Sequence, residues 1–342
     1  MRHRLETEGH SPYRRAVRRL IQVAVAVAAL VGSARGVAAG QAPGTAEANL
    51  AKDRVCTECH DETSRKQTFF IYQTRHGVRA DAGAPTCQSC HGPSDAHIKD
   101  AGKPTDVVFG LKSKHLSSAE ARNTACLSCH QASAARNNWA GSVHQTQGLA
   151  CNTCHSVHVP EQKVLNKATQ AEVCFTCHKE QRAQTHRISA HPLAKAGLTG
   201  TTVKMSCADC HNPHGSTGPT LLVKNSVTET CYTCHAEKRG PFLWEHAPVA
   251  DNCTICHTPH GSSTAPLLKT RTPGLCQDCH SGDHANAVNS GSYLAGGNAV
   301  TLNGTQQLAA RAPRQQFNGR NCLSCHALVH GSNHPAGAKF QK

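Results

Sequence analysis

The chain is 342 residues long and carries 36 Lys and Arg against 22 Asp and Glu, a formal charge of +14, with 25 His and 20 Cys. Seven Phe, four Tyr and two Trp are too few aromatics to build a sizeable ordinary core over this length. The positive charge alone would suggest a nucleic-acid partner, but seven Arg and two Glu in the first forty residues contribute +5 of it, leaving about +9 on the rest.

Residues 1–39 read as a signal peptide. Arg14, Arg15, Arg18 and Arg19 form a basic start, and the apolar stretch of residues 20–31 is too short to span a bilayer well. Small residues in "GVAAGQA" offer cleavage near Ala39. The Arg14-Arg15 pair invites a twin-arginine reading, which is set aside in favour of export as an unfolded chain. No later segment approaches a transmembrane helix, so the mature chain is expected to be exported and soluble by composition. Residues 40–55 read as a linker.

From residue 56 to 342 the cysteines fall in ten C-x-x-C pairs with none left over. The pairs are Cys56 and Cys59, Cys87 and Cys90, Cys126 and Cys129, Cys151 and Cys154, Cys174 and Cys177, Cys207 and Cys210, Cys231 and Cys234, Cys253 and Cys256, Cys276 and Cys279, and Cys322 and Cys325. A histidine follows each directly: His60, His91, His130, His155, His178, His211, His235, His257, His280 and His326. Disulfides would explain the even count but not the histidines. Zinc knuckles use two pairs per ion, and thioredoxin-type redox pairs do not recur ten times in a domain. C-x-x-C-H is the attachment signature of c-type haem. Two residues between the thiols let both sulfurs form thioethers with one porphyrin edge, and the next residue brings its imidazole to the iron as proximal ligand. The expectation is therefore ten covalently bound haem c groups (iron).

Ten haems bring about twenty propionates, which lower the net charge of the mature chain to roughly −11 when all are ferrous and roughly −1 when all are ferric. The lysines and arginines thus mostly offset haem carboxylates, and nucleic-acid binding is set aside. About 300 residues serve ten motifs, roughly thirty each, so the rings themselves must supply the apolar core. The expected fold is a haem-cored multihaem c-type cytochrome, mostly coil with short α-helices and little or no β-sheet, forming an elongated haem wire. It divides roughly into pentahaem halves at 56–200 and 201–342. The stretch "VTLNGTQQLAARAPRQQFNG", residues 300–319, reads as a loop.

Thirteen histidines outside the motifs and the leader remain as second ligands. The alternative ligand, methionine, is represented in the mature chain by Met205 alone, so bis-histidine ligation is favoured, with potentials below those of His/Met sites. A repeat organises them. His144, "CNTCHSVH" and "CFTCH" form one module. His191, "CADCHNPH" and "CYTCH" form the next, and His246, "CTICHTPH" and "CQDCH" a third; His76, "CQSCHGPSDAH" and "CLSCH" form a looser first copy. These modules use His76, His97, His144, His158, His191, His214, His246 and His260. His284 with "CLSCHALVH" is the front half of a further module, and the Cys56 motif the back half of another. His284 and His330 are then left for the first and last haems. His115, His186 and His334 are surplus, with His334 the possible alternate.

Three residue steps span at most about 10 Å of backbone, too little to pass comfortably round a porphyrin edge. His257 and His260 are therefore expected to ligate different haems, and Pro259 stiffens the link. Each such pair joins two haems through a short stretch of chain.

"CYTCHAEKRGPFLWEHAPVADNCTICHTPHGS" (231–262), "CADCHNPHGS" and "CLSCHALVHGSNHPAG" resemble the MtrA/DmsE/PioA-type periplasmic decahaem c-type cytochrome family, over nearly all of the chain from Cys56 onward. The resemblance implies an electron conduit of anaerobic respiration or extracellular electron transfer, located in the periplasm and associated with the outer membrane. It implies an outer-membrane β-barrel porin partner (MtrB/PioB-like), which supplies the lipid-facing surface. An extracellular multihaem cytochrome or reductase, and a periplasmic or inner-membrane cytochrome, are the implied redox partners. The family pattern matches the ten motifs and His76, His97, His144, His158, His191, His214, His246, His260, His284, His330 and His334. A soluble periplasmic shuttle without a porin is the alternative. A multihaem reductase would need an open or Lys-ligated iron, and no motif reads C-x-x-C-K, so the expectation is an electron-transfer protein without catalytic residues.

Overall fold

The computed structural model describes residues 45–63, 68–78, 81, 83–193, 205–280, 300–302, 305–307, 321–335 and 337–341. Residues 1–39, expected as a signal peptide, His284 and most of the 300–319 stretch lie outside them.

Each attachment motif folds as one helical turn. The backbone N–H of the histidine donates to the carbonyl of the first cysteine at 2.9–3.0 Å in the motifs starting at Cys56, Cys151, Cys174, Cys207, Cys231, Cys253, Cys276 and Cys322. The other two pentads lie inside the helices Cys87–His91 and Ala119–His130. Positions i, i+3 and i+4 share a helix face, so a single turn gathers both sulfurs and the ring on one side. Side chains at the start of the motifs stop the chain from fraying there. Asn252 Oδ1 accepts from Thr254 N at 2.9 Å, Asn321 Oδ1 from Leu323 N at 3.0 Å, and Asp209 Oδ2 from Ser206 N at 2.7 Å.

Longer regular elements are few. The helices Thr45–Thr57 and Ala119–His130 are the two of more than ten residues among those described. The one paired sheet described is a two-stranded antiparallel ribbon, Val300–Leu302 against Thr305–Gln307. It falls in a stretch expected as loop. Buried apolar side chains are Trp139, Ala150, Ala171 and Leu222, fewer than the buried polar ones, as a thin protein core requires. Among the described residues no helix is long and apolar enough to cross a membrane.

Two kinds of joint connect successive motifs. At the first kind, a buried polar side chain three residues before one motif holds the start of the next. Asp53 Oδ1 accepts from Cys87 N and Asn123 Oδ1 from Cys151 N, at 2.9 and 2.8 Å. At the second kind, the loop behind a front motif folds back on the preceding module. Ser262 pairs with Ser189, and Ser332 with Trp244, through reciprocal backbone hydrogen bonds of 2.7–3.0 Å. Gly261 makes this approach possible: its φ is +150°, and a Cβ there would overlap the carbonyl of Gln184.

Candidate haem sites

The sulfurs line up in chain order and alternate. First cysteines meet at one set of junctions: Cys56 with Cys87, Cys126 with Cys151, Cys174 with Cys207, Cys231 with Cys253, and Cys276 with Cys322. Second cysteines come within electrostatic reach at the others: Cys90 with Cys129, Cys154 with Cys177, Cys210 with Cys234, and Cys256 with Cys279. Each motif therefore neighbours the one before it and the one after it.

The two second cysteines outside this alternation are Cys59 and Cys325, of the first and last motifs, and both are exposed. Cys325 was expected to share a haem with Cys322. Its backbone N–H donates to the carbonyl of Cys322 at 3.1 Å, so it stands on the same one-turn helix as its partner sulfur.

The histidines meet in twos. His60 faces His97, His76 faces His130, and His91 faces His158, with ring centroids 6.1, 5.8 and 6.3 Å apart. His144 faces His178, His155 faces His214, and His191 faces His235, at 6.2, 6.0 and 6.3 Å. His211 faces His260, His246 faces His280, and His257 faces His330, each at 6.1 Å. A metal–imidazole bond is about 2 Å and the ring centre lies about 1 Å beyond the nitrogen, so two rings on opposite sides of one metal stand about 6 Å apart. The nine pairs fit that spacing, and each joins one motif histidine to one from outside the motifs.

The other ring nitrogen is engaged as such a site needs. Nδ1 lies against a backbone carbonyl in His91 (Val107, 3.0 Å), His97 (Lys103, 2.7 Å), His144 (Pro213, 2.8 Å) and His158 (Thr68, 2.9 Å). The same holds for His191 (Pro259, 2.6 Å), His211 (Thr220, 2.9 Å), His246 (Val329, 3.1 Å), His257 (Pro266, 3.0 Å) and His326 (Lys339, 2.5 Å). His155 uses Gln162 Oε1 at 3.1 Å. A carbonyl only accepts, so Nδ1 carries the proton and Nε2 is left with its lone pair for a metal. His130 differs: the Arg136 guanidinium lies 3.4 Å from its Nδ1 and also holds its backbone carbonyl. Burial keeps the His214, His257, His260 and His330 rings below the ordinary histidine range, in the neutral form that binds metal.

These residues fit haem c. Two ligands per iron suffice because the porphyrin supplies the other four, and both sulfurs on one helical turn suit one porphyrin edge. Two buried polar atoms lack a protein partner, Trp139 Nε1 and Thr68 Oγ1. Trp139 packs edge-on against His214, and Thr68 carries the carbonyl facing His158, so both lie beside a ring pair, where a haem propionate would satisfy a buried donor.

Eighteen of the twenty histidines expected as ligands are brought together in this way. The last motif histidine, His326, is described, and His284 lies outside the described residues. The surplus His115, His186 and His334 are exposed. The pairing corrects one expectation. His284 and His330 were expected on the first and last motifs, but His97 faces His60, and His330 faces His257. The reason is the fold-back joint. The histidine behind each front motif reaches the front motif of the preceding module, and the leading histidine serves the back motif of its own. His97, behind the Cys87 motif, faces the Cys56 motif instead. His257 and His260, expected on different irons, do face different partners. Sequence reasoning missed the carbonyl acceptors and the buried Asp53 and Asn123. The polar residue three positions ahead of a C-x-x-C-H was the available signal for the last two.

Residues 201–240 and 246–285 match the family model of the doubled CXXCH motif. Residues 87–169 match that of the cytochrome c-type protein NrfB-like, and residues 23–92 that of cytochrome c554 and c-prime. The multiheme cytochrome MtrA of Shewanella baltica (strain OS185) is 45% identical over 293 residues, which cover 84% of this chain and 80% of that protein. With its repeated one-turn attachment motifs and facing histidines, the chain belongs to the MtrA-type multihaem c-type cytochromes and is an electron-transfer protein rather than an enzyme.

Proposed function

We propose that residues 56–342 form a decahaem cytochrome whose ten bis-histidine haems make a continuous row. The row conducts electrons between the periplasm and the cell exterior inside an outer-membrane β-barrel porin. The observation that carries this reading is the set of nine facing histidine pairs at 5.8–6.3 Å, one for each motif but the last. The tenth haem, attached at Cys322 and Cys325 with His326 on its iron, takes its second histidine from His284 or His334. The alternating sulfur contacts support the row: haems attached at neighbouring sulfurs lie edge to edge in chain order. A row with no missing member suits conduction, because tunnelling falls steeply with each added gap. With both axial positions taken by histidine, no iron offers a substrate site, and potentials are low.

Intact-mass spectrometry of the mature protein is expected to show ten haem additions and no free thiols. Fewer additions, or a disulfide at any pair, would contradict the count. Expressed with its neighbouring membrane proteins, the cytochrome is expected to co-purify with a barrel porin. A cytochrome recovered free of any porin, with electron transfer intact in the periplasmic fraction, would replace the conduit with a shuttle.

A further inference from the structure

Three leading histidines share one arrangement. His144 donates Nδ1–H to the carbonyl of Pro213, His191 to that of Pro259, and His246 to that of Val329, at 2.8, 2.6 and 3.1 Å. In each case the next residue is itself a facing histidine: His214, His260 or His330. The two histidines so joined belong to different motifs. His144 faces His178 while His214 faces His155, His191 faces His235 while His260 faces His211, and His246 faces His280 while His330 faces His257. These are the junctions where second cysteines approach one another.

We infer that this peptide unit is a tie that couples the ligation of two neighbouring haems, so that a displacement of the peptide itself loosens the second ligands of both. The inference rests on the bis-histidine reading above. The hydrogen bond to Nδ1 fixes the ring's rotation and tautomer and raises its basicity toward iron. The accepting carbonyl belongs to a planar, rigid peptide whose far side is the backbone nitrogen of the other histidine. A shift of that peptide therefore moves both ligands. The peptide is held by the fold-back joint: Gly261 packs against Gln184, and Gly331 against the Phe242 ring, with the single backbone bridges Ser189–Ser262 and Trp244–Ser332 beside them. His260, His191 and Gly261 are thus positioned together, and Gly261 acts as a positioning residue for two irons rather than one.

Two variants of the full ten-haem protein separate this from independent ligation, read by spin-quantified EPR of the oxidised form and by the sulfur-to-iron charge-transfer band. His260→Met keeps the Pro259 carbonyl in place and is expected to convert one haem in ten to His/Met ligation. Gly261→Ala displaces the peptide and is expected to remove two haem equivalents from the low-spin spectrum. Loss of one equivalent, or of none, in Gly261→Ala would overturn the tie, as would a change at two haems in His260→Met. If Gly261→Ala does not mature with ten haems, Gly331→Ala and His330→Met carry the same contrast at the next junction, where the added methyl meets a movable phenyl ring. Wild-type protein with fewer than ten haems, or with a stoichiometric high-spin haem, would count against the bis-histidine reading itself.

Discussion

A histidine's role here depends on what it faces, not on where it stands in the chain. His97 sits behind the Cys87 motif in the sequence, yet its ring lies opposite His60. His97→Met is therefore expected to change the ligation of the haem attached at Cys56 and Cys59 and no other. His115→Ala and His186→Ala, at exposed rings, are expected to leave all ten low-spin signals unchanged. Magnetic circular dichroism with EPR distinguishes these, and a ligation change in either alanine variant would contradict the assignment. Which histidines come to face another was largely legible in the sequence, because histidine excess and scarce methionine leave few other candidates. The pairing was not. It is set by a loop that returns to a different module, and a linear repeat carries no sign of the direction of return.

At the scale of elements, a one-turn helix is unstable alone, because nucleation fixes several residues for one hydrogen bond. The turns persist because side chains outside them hold their ends. Asn123 is the clearest case: it is 6% exposed, its Oδ1 accepts from Cys151 N, and its Nδ2 lies 3.4 Å from Leu149 O. Asn123→Ala leaves a half-buried backbone N–H without its partner and is expected to cost about 1 kcal/mol. Denaturant unfolding of the haem-loaded protein measures this, and a cost near zero would show that the thioether bonds alone fix the turn. Short helices around the motifs are expected from C-x-x-C-H itself, since both sulfurs and the ring must share a face. The ribbon at 300–307 replaces part of an expected loop. Its signal is Asn-Gly at positions 303–304, a strong two-residue hairpin turn between residues suited to strands.

Across the whole molecule, sparse aromatics, few buried apolar side chains and ten attachment turns belong together. A chain that places only Trp139, Ala150, Ala171 and Leu222 among its described buried apolar residues needs another source of apolar contact. In the proposed row, haem rings in chain order would supply it, and the same rings would supply the conduction path. In that row the basic residues that first suggested nucleic acid would partner propionates. The row requires that every iron be closed by two histidines. Spin-quantified EPR of the fully oxidised, haem-loaded protein tests this most directly. All ten ferric haems are expected in low-spin signals, and a stoichiometric high-spin ferric haem would mean an open iron, contradicting the row of closed electron-transfer sites.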